Sequence, residues 1–279
     1  MYLHIFFNYL WFFIIYSIIG WIIEVIFAAV KYRELVNRGF LNGPYCPIYG
    51  FGMLFVILSL NSFTGNILIL FAASTILTTV LEAVVGVVLN KMFNKTWWDY
   101  SVEPFNFKGY ICLRASLTWG VCCVIALKFI HPYIAKMVDI IPEPYSYIII
   151  LALAAFVILD LISTVAVINK LDKHLIHIEE LAANIKEMSN ELAMTIAGNT
   201  IEIIETGEEI KEAIEYKKNQ IVLTAKKRKE NFTELTKKYE NLITQKGKYT
   251  RLIKAFPDLK TGKYTESLQK LKEHIKNKK

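Results

Sequence analysis

The chain has 279 residues, 54% of them hydrophobic and 13% aromatic, with a mean hydropathy of +0.36, yet 20% are charged. Such a sequence is too apolar for an ordinary soluble domain and too charged for a bundle of spans alone, so the two characters must be segregated. Up to Asn169 there are 9 Lys and Arg against 8 Asp and Glu, and the stretch from Lys170 holds the other 23 basic and 17 acidic residues, +6 of the net +7.

Five apolar runs, near 6–30, 46–63, 67–89, 111–130 and 145–168, are read as spans, since crossing about 30 Å of hydrocarbon takes about 20 helical residues. The first run has no Lys or Arg before it and no small-x-small site after it, so it reads as a retained span rather than a cleaved leader. The second is the shortest. Between the first two lies Gly39-Phe-Leu-Asn-Gly-Pro-Tyr-Cys-Pro-Ile-Tyr-Gly-Phe-Gly52, with four Gly, two Pro, two Tyr and one Cys. That density fixes the backbone, either as a tight turn between two helices or as a broken, re-entrant helix entry lining a cavity. Thr64-Gly65-Asn66 reads as an exposed turn.

Basic residues set the expected orientation. Lys31, Arg33 and Arg38 follow the first run, and Lys91, Lys95 and Lys108 follow the third, with Arg114 at the edge of the fourth. The 61–66 turn has none, and the connection before the fifth run has only Lys128 and Lys136. The N-terminus is expected outside and the C-terminal tail in the cytoplasm, with Trp97, Trp98 and Tyr100 at the cytoplasmic interface.

A duplication is suggested by the first and third runs. Each carries one glutamate, Glu24 or Glu82, and each is followed by a basic loop that closes on Gly-x-x-Cys, as Gly43-Pro-Tyr-Cys46 and Gly109-Tyr-Ile-Cys112. A pattern of four residues also arises by chance. A real repeat would be a parallel one, about an axis near the membrane normal.

A charged carboxylate at mid-membrane costs roughly 2.5 to 3.5 kcal/mol, so Glu24, Glu82 and Asp160 are expected to face partners or water rather than lipid. Lys31 or Arg33 is the expected partner of Glu24, while Glu82 has no base on its own helix within reach. Arg114 and Arg38 read either as guanidinium partners of a carboxylate or an anionic group, or as interface arginines. The candidate cavity-lining or structural set is Glu24, Arg38, Gly43, Pro44, Tyr45, Cys46, Pro47, Tyr49, Glu82, Trp98, Asp99 and Arg114.

No enzyme motif is legible, and no cofactor or metal is expected. Thr261-Gly262-Lys263-Tyr264 lacks the upstream glycine and the hydroxyl of a P-loop, and hydrolase elbows and zinc helices are absent from the sequence. Cys46, Cys112, Cys122 and Cys123 show no paired metal spacing, and His174 with His177 reads as solvated helix surface.

The tail is expected to be helical and coiled-coil-like. Leu175, Ile178, Ala182, Ile185 and Leu192 make a stripe spaced by three and four, Gly198-Asn199 and Gly207 weaken the middle, and the apolar pattern restarts at Ile203, Ile210, Ile214 and Ile221. The stripe faces either a second copy of the chain or the later segment folded back as a hairpin, the favoured reading. Lys226-Lys-Arg-Lys229 suits an anionic leaflet or a solvated face, and nucleic acid is not expected. Pro257 ends a helix, and a short amphipathic helix closes the chain.

The run from Asn37 to Gly50, with Gly20-Trp21-x-x-Glu24, Trp97-Trp-Asp-Tyr-Ser101, Pro104-Phe-Asn106 and Ala255-Phe-Pro-Asp-Leu-Lys260, resembles the bacterial membrane family catalogued as putative ABC-transporter permease, type IV, or CmpB-like. The resemblance implies a multi-pass cell-membrane permease subunit, with ATP hydrolysed on a separate chain. The expected fold is thus all-α: a polytopic membrane bundle over 1–169 and a cytoplasmic helical tail over 170–279. Its partners would be the lipid bilayer, an ATPase subunit, and a second copy if five spans are to enclose a path. The alternative is a non-transporting membrane anchor, sensor or scaffold whose tail recruits partners.

Overall fold

The computed structural model describes residues 2–205, 211–244, 247 and 249–277, with side chains except at 192, 195–205, 211–221, 225 and 277. Helix makes up 79% of it with almost no sheet, which makes the fold all-α. Helix α1 (Tyr2–Tyr32) is followed by the irregular stretch read above as special, and α2 (Pro47–Leu60) starts on Pro47, whose fixed φ suits a first helical turn. A 3₁₀ turn, Asn61–Phe63, leads to α3 (Ile67–Phe93). Asn66 caps α3 by accepting hydrogen bonds from the Leu68 and Ile69 amides, and Asn94 ends it in the left-handed region at φ 50°. Next come β1 (Lys95–Thr96) and a small hairpin in which β2 (Asn106–Phe107) pairs antiparallel with β3 (Ile111–Cys112).

Helix α4 (Leu113–Ile125) passes through a π turn, Ala126–Ile130, into α5 (His131–Asp139). The helical run expected to stop near 130 therefore continues to Asp139. The wider turn just before Pro132 accommodates a residue that lacks the N–H and would clash in an ordinary α-helix. Helix α6 (Glu143–Glu205) has 63 residues, and α7 (Lys211–Thr244), α8 (Thr250–Ala255), β4 (Lys260–Thr261) and α9 (Thr265–Asn277) complete the described chain. Four helical runs, Tyr2–Tyr32, Ile67–Phe93, Leu113–Asp139 and Glu143–Glu191, are long and apolar enough to cross a membrane. The expected second span is the exception: Pro47–Phe63 is apolar but shorter, and its α-helical part, 14 residues, reaches only about 21 Å.

Two compact units result: Met1–Asn169 with Lys248–Gly262, and Lys170–Gly247 with Lys263–Lys279. In the first, α1 packs antiparallel on α2, and α3 on α4. Both pairs use the same device. Gly50 of α2 sits against Phe13 and Ser17 of α1, and Gly120 of α4 against Phe71 and Thr75 of α3, with no room for a Cβ. Phe13 and Ser17 precede Glu24 by 11 and 7 residues, and Phe71 and Thr75 precede Glu82 by the same intervals. This agreement in three dimensions lifts the duplication above a four-residue coincidence. Phe12, Tyr16, Met53, Val56, Leu70, Cys123 and Leu127 form the shared core.

In the second unit, Leu175 and Ile178 of the tail stripe are fully buried within the single chain, and Ala182 and Ile185 are half-buried. His174 Nε2 lies 2.9 Å from the Leu242 carbonyl of α7, Ser267 of α9 donates to Glu179, and Lys270 stands over the Tyr239 ring. The stripe thus meets later segments of its own chain. Helix α6 runs through Gly198-Asn199 to Glu205, so the break expected there is absent, since an interior glycine costs a long helix only about 1 kcal/mol. Gly207 and Ile210 lie outside the described residues, as do the side chains of Leu192, Ile203, Ile214 and Ile221.

Candidate functional site

The two glutamates of the repeat are held by the loops that follow their helices. Glu24 Oε1 accepts a hydrogen bond from the Tyr49 hydroxyl at 2.7 Å, and Oε2 pairs with Arg38 Nε at 3.1 Å. Arg38, not the expected Lys31 or Arg33, is the partner, because the chain folds back after α1 and lays the guanidinium over the Phe27 and Tyr32 rings at 4.9 and 5.6 Å. The fold-back is fixed by Trp21 Nε1 donating to Asn37 Oδ1 at 2.7 Å, while Asn37 Nδ2 donates to the Asn42 carbonyl.

Glu82 is buried in α3, and its Oε1 accepts from the Tyr100 hydroxyl at 3.1 Å. Its other oxygen is buried without a hydrogen bond of normal geometry, beside the Trp119 ring. Trp119 in turn stands edge-on to Tyr49, ring centroids 5.4 Å apart. Electrostatic interactions connect Tyr100 to both Glu24 and Glu82, and Tyr49 to both Glu24 and Tyr100. The two carboxylates therefore belong to one cluster, Glu24–Tyr49–Trp119–Glu82–Tyr100, of which Glu82 is buried and the others are half-buried. It carries two acidic groups against one guanidinium.

Asp160 organises the loop between α1 and α2. Its Oδ2 accepts from the Gly43 amide and the Tyr45 hydroxyl, both at 2.8 Å, and its Oδ1 from Asn42 Nδ2 at 2.7 Å. Asn42, Gly43 and Tyr45 thus serve as a cradle for Asp160, and Pro44 is the exposed residue between the last two. Cys46 caps the entry to α2, its amide donating to the Ser17 carbonyl at 2.8 Å, and Pro47 opens the helix.

In the second loop Trp98 Nε1 donates to the Tyr110 carbonyl at 2.9 Å, and both rings close on Gly86 of α3. Asp99 accepts from the Ser101 amide at 2.8 Å and stands against Gly109, whose φ of 72° suits glycine. Arg114 is apart from the cluster: its side chain is 78% exposed and pairs with Glu103 at 3.4 Å.

Sequence reasoning gave no role to the segment after Lys248, which packs with the membrane unit. Arg251 of α8 reaches three acceptors of the first loop: Nη1 donates to the Gly39 carbonyl at 2.8 Å, Nη2 to the Phe40 carbonyl at 3.1 Å and Nε to Asn42 Oδ1 at 3.1 Å. Burial lowers its pKa, against the raising effect of the Asp160 charge. Ten residues on, β4 pairs antiparallel with β1, Lys95 opposite Thr261 and Thr96 opposite Lys260. Lys260 forms an ion pair with Asp99, holding that carboxyl below its usual range with help from the Ser101 amide. Phe256 packs edge-on against Trp97 at 5.0 Å, and Leu252, Ile253 and Leu259 are buried. The available signals were the Ala255–Lys260 block, which carries part of the family resemblance, and the apolar residues around Pro257.

Long apolar helices enclosing paired carboxylates define a polytopic helical membrane protein. The chain belongs to the family described as Putative ABC-transporter type IV, whose model matches residues 11–165, more than half of its length. No curated protein and no solved structure matches it.

Proposed function

We propose that the chain is the permease subunit of an ABC-type transporter in the bacterial plasma membrane, working with an ATPase carried on a separate chain. It is not itself an enzyme. The N-terminus lies outside, the tail in the cytoplasm, and Glu24 and Glu82 line the path. The observation that supports this reading best is the cluster joining the two glutamates across the repeat, in which the buried Glu82 has only hydroxyl and indole neighbours and, among the described residues, no cation. An apolar bundle that needed only stability would not retain such a group, since a buried carboxylate without a cation is costly and intramembrane acids mark ion or substrate routes. A second copy completes the enclosure, because four long helices and one short one make a small bundle.

Affinity purification of the full chain from its native membrane tests the proposal. Recovery of a nucleotide-hydrolysing chain in stoichiometric amount is the expected result. Its consistent absence overturns the permease reading in favour of a membrane scaffold.

A further inference from the structure

The segment from Tyr249 to Thr261 lies beyond the part of the chain that the family model covers, yet it grips both repeat loops one residue away from the groups that hold the glutamates. Arg251 binds the Gly39 carbonyl, and the preceding residue, Arg38, is the ion-pair partner of Glu24. Lys260 pairs with Asp99, and the following residue, Tyr100, is the hydrogen-bond donor to Glu82. We propose that Arg251 and Lys260 are positioning residues for the two intramembrane carboxylates, each setting the backbone from which the partner of one glutamate reaches into the bundle. This rests on the reading that Glu24 and Glu82 are the working groups of the path.

The chemistry of the two contacts fits their targets. The first loop offers two carbonyls and an amide oxygen, and only the forked guanidinium supplies three donors in one fixed geometry. The second loop offers a carboxylate, which a single ammonium satisfies. Both contacts are backed by apolar anchors: Leu252 and Ile253 follow Arg251, and Leu259 precedes Lys260, all buried. The β1–β4 pairing fixes the register at Lys260, so a slip by one residue would carry its side chain to the other face. The strap therefore acts on the two halves of the repeat separately, through one charged side chain each.

Carbodiimide labelling of the full-length protein in lipid nanodiscs, with labelled peptides quantified by mass spectrometry, reads each carboxylate directly. Arg251→Ala should raise labelling at Glu24 and leave Glu82 unchanged, and Lys260→Ala should do the reverse. The rise should be roughly three- to tenfold, the equivalent of one hydrogen bond lost at the carboxylate. Arg251→Lys should not rescue Glu24, since a point charge cannot serve three acceptors, whereas Lys260→Arg should rescue Glu82. If either alanine variant does not accumulate folded, Arg251→Lys and the charge swap Asp99→Lys with Lys260→Asp give the same discrimination. Unchanged labelling at both glutamates, or an equal rise at both from either variant, overturns the proposal, the latter by showing general loosening. A chain that gives the expected crossed pattern and still recovers no ATPase refutes the permease reading alone.

Discussion

Replacing Gly20 with alanine tests the geometry that holds Glu24. A Cβ built at Gly20 would stand 2.5 Å from Tyr49 Cβ and 2.6 Å from Cδ2. Rotating the Tyr49 ring cannot relieve the contact with Cβ, so α2 must move. Ordinary carbon contacts need about 3.5 to 4.0 Å, which opens α1 from α2 by about 1 Å at this level. The Tyr49 hydroxyl, now 2.7 Å from Glu24 Oε1, would be carried to the edge of hydrogen-bonding range or past it. Overpacking costs about 1 to 3 kcal/mol, a hydrogen bond to a charged group about 1.5 to 3, and alanine returns about 1 in helix propensity, leaving a net loss of about 3 kcal/mol. At this chain size that corresponds to a fall in Tm of roughly 6 to 12 °C. Thermal unfolding in detergent, followed by reaction of a fluorogenic maleimide with the buried Cys46, Cys112 and Cys123, measures it. Gly65→Ala is the control: nothing lies within 4 Å of that position, so its Tm should hold or rise slightly. A Gly20→Ala protein as stable as the control would refute the close approach and the Tyr49–Glu24 contact with it.

Other outcomes follow from the same contacts. Glu24→Gln should lower Tm, because it strips Arg38 of its ion-pair partner, whereas Glu82→Gln should leave Tm unchanged or raise it, because it removes a carboxylate with no cationic partner among the described residues; equal losses in both would contradict the asymmetry. The folded pKa of Asp99 is depressed, so the Lys260–Asp99 pair contributes fully above the unfolded value near 3.9 and loses its contribution as pH falls below it. Asp99→Asn should accordingly flatten the acid side of a stability–pH curve and leave its slope above about pH 5 unaltered. With Cys122 replaced, single cysteines at Thr64 and Ile140 should react with an impermeant maleimide added outside, and those at Leu35 and Val102 only after the membrane is opened; strong outside labelling at Leu35 would reverse the orientation. Ile178→Asp puts a charge in a fully buried seam of the tail and should cost about 3 kcal/mol or more, seen as early proteolysis of residues 170–279 in the intact protein.

What could be read in advance is what local sequence controls. Apolar length marks the long helices, and the glycine and proline density of residues 39–52 marks a fixed, non-helical approach to α2 that the Asp160 cradle then explains. The recurrence of Glu and Gly-x-x-Cys only suggested a duplication, and the shared packing device, glycine on a Phe-x-x-x-Ser/Thr step, became visible only with the helices packed. Partner identity was not legible. Lys31 and Arg33 are closer to Glu24 along the chain than Arg38, but the turn after α1 decides which base folds back, and that turn depends on Trp21 and Asn37 meeting across it. Tyr100 looked like an interface ring because its neighbours are tryptophans, yet it is the donor to Glu82. Arg251 is least legible of all: one of two arginines in a lysine-rich tail, it says nothing of a loop more than 200 residues earlier in the chain.

The two halves of the repeat have diverged in charge rather than in shape. Each keeps a glutamate about two turns beyond the Ser or Thr at the helix crossing, a returning helix with a glycine at that crossing, and a loop that sends one side chain back to the carboxylate. The first loop sends a guanidinium and the second a neutral phenol, so Glu24 is compensated within its own half and Glu82 is not. The strap repeats the division in reverse: its arginine meets neutral carbonyls beside Arg38, and its lysine meets the acidic Asp99 beside Tyr100. A charge offered to the second loop thus stops at Asp99 and leaves Glu82 with hydroxyl and indole neighbours alone. Duplication accounts for why each half carries a carboxylate at the same step of its helix. The unequal loops account for why only Glu24 of the two has a guanidinium beside it among the described residues.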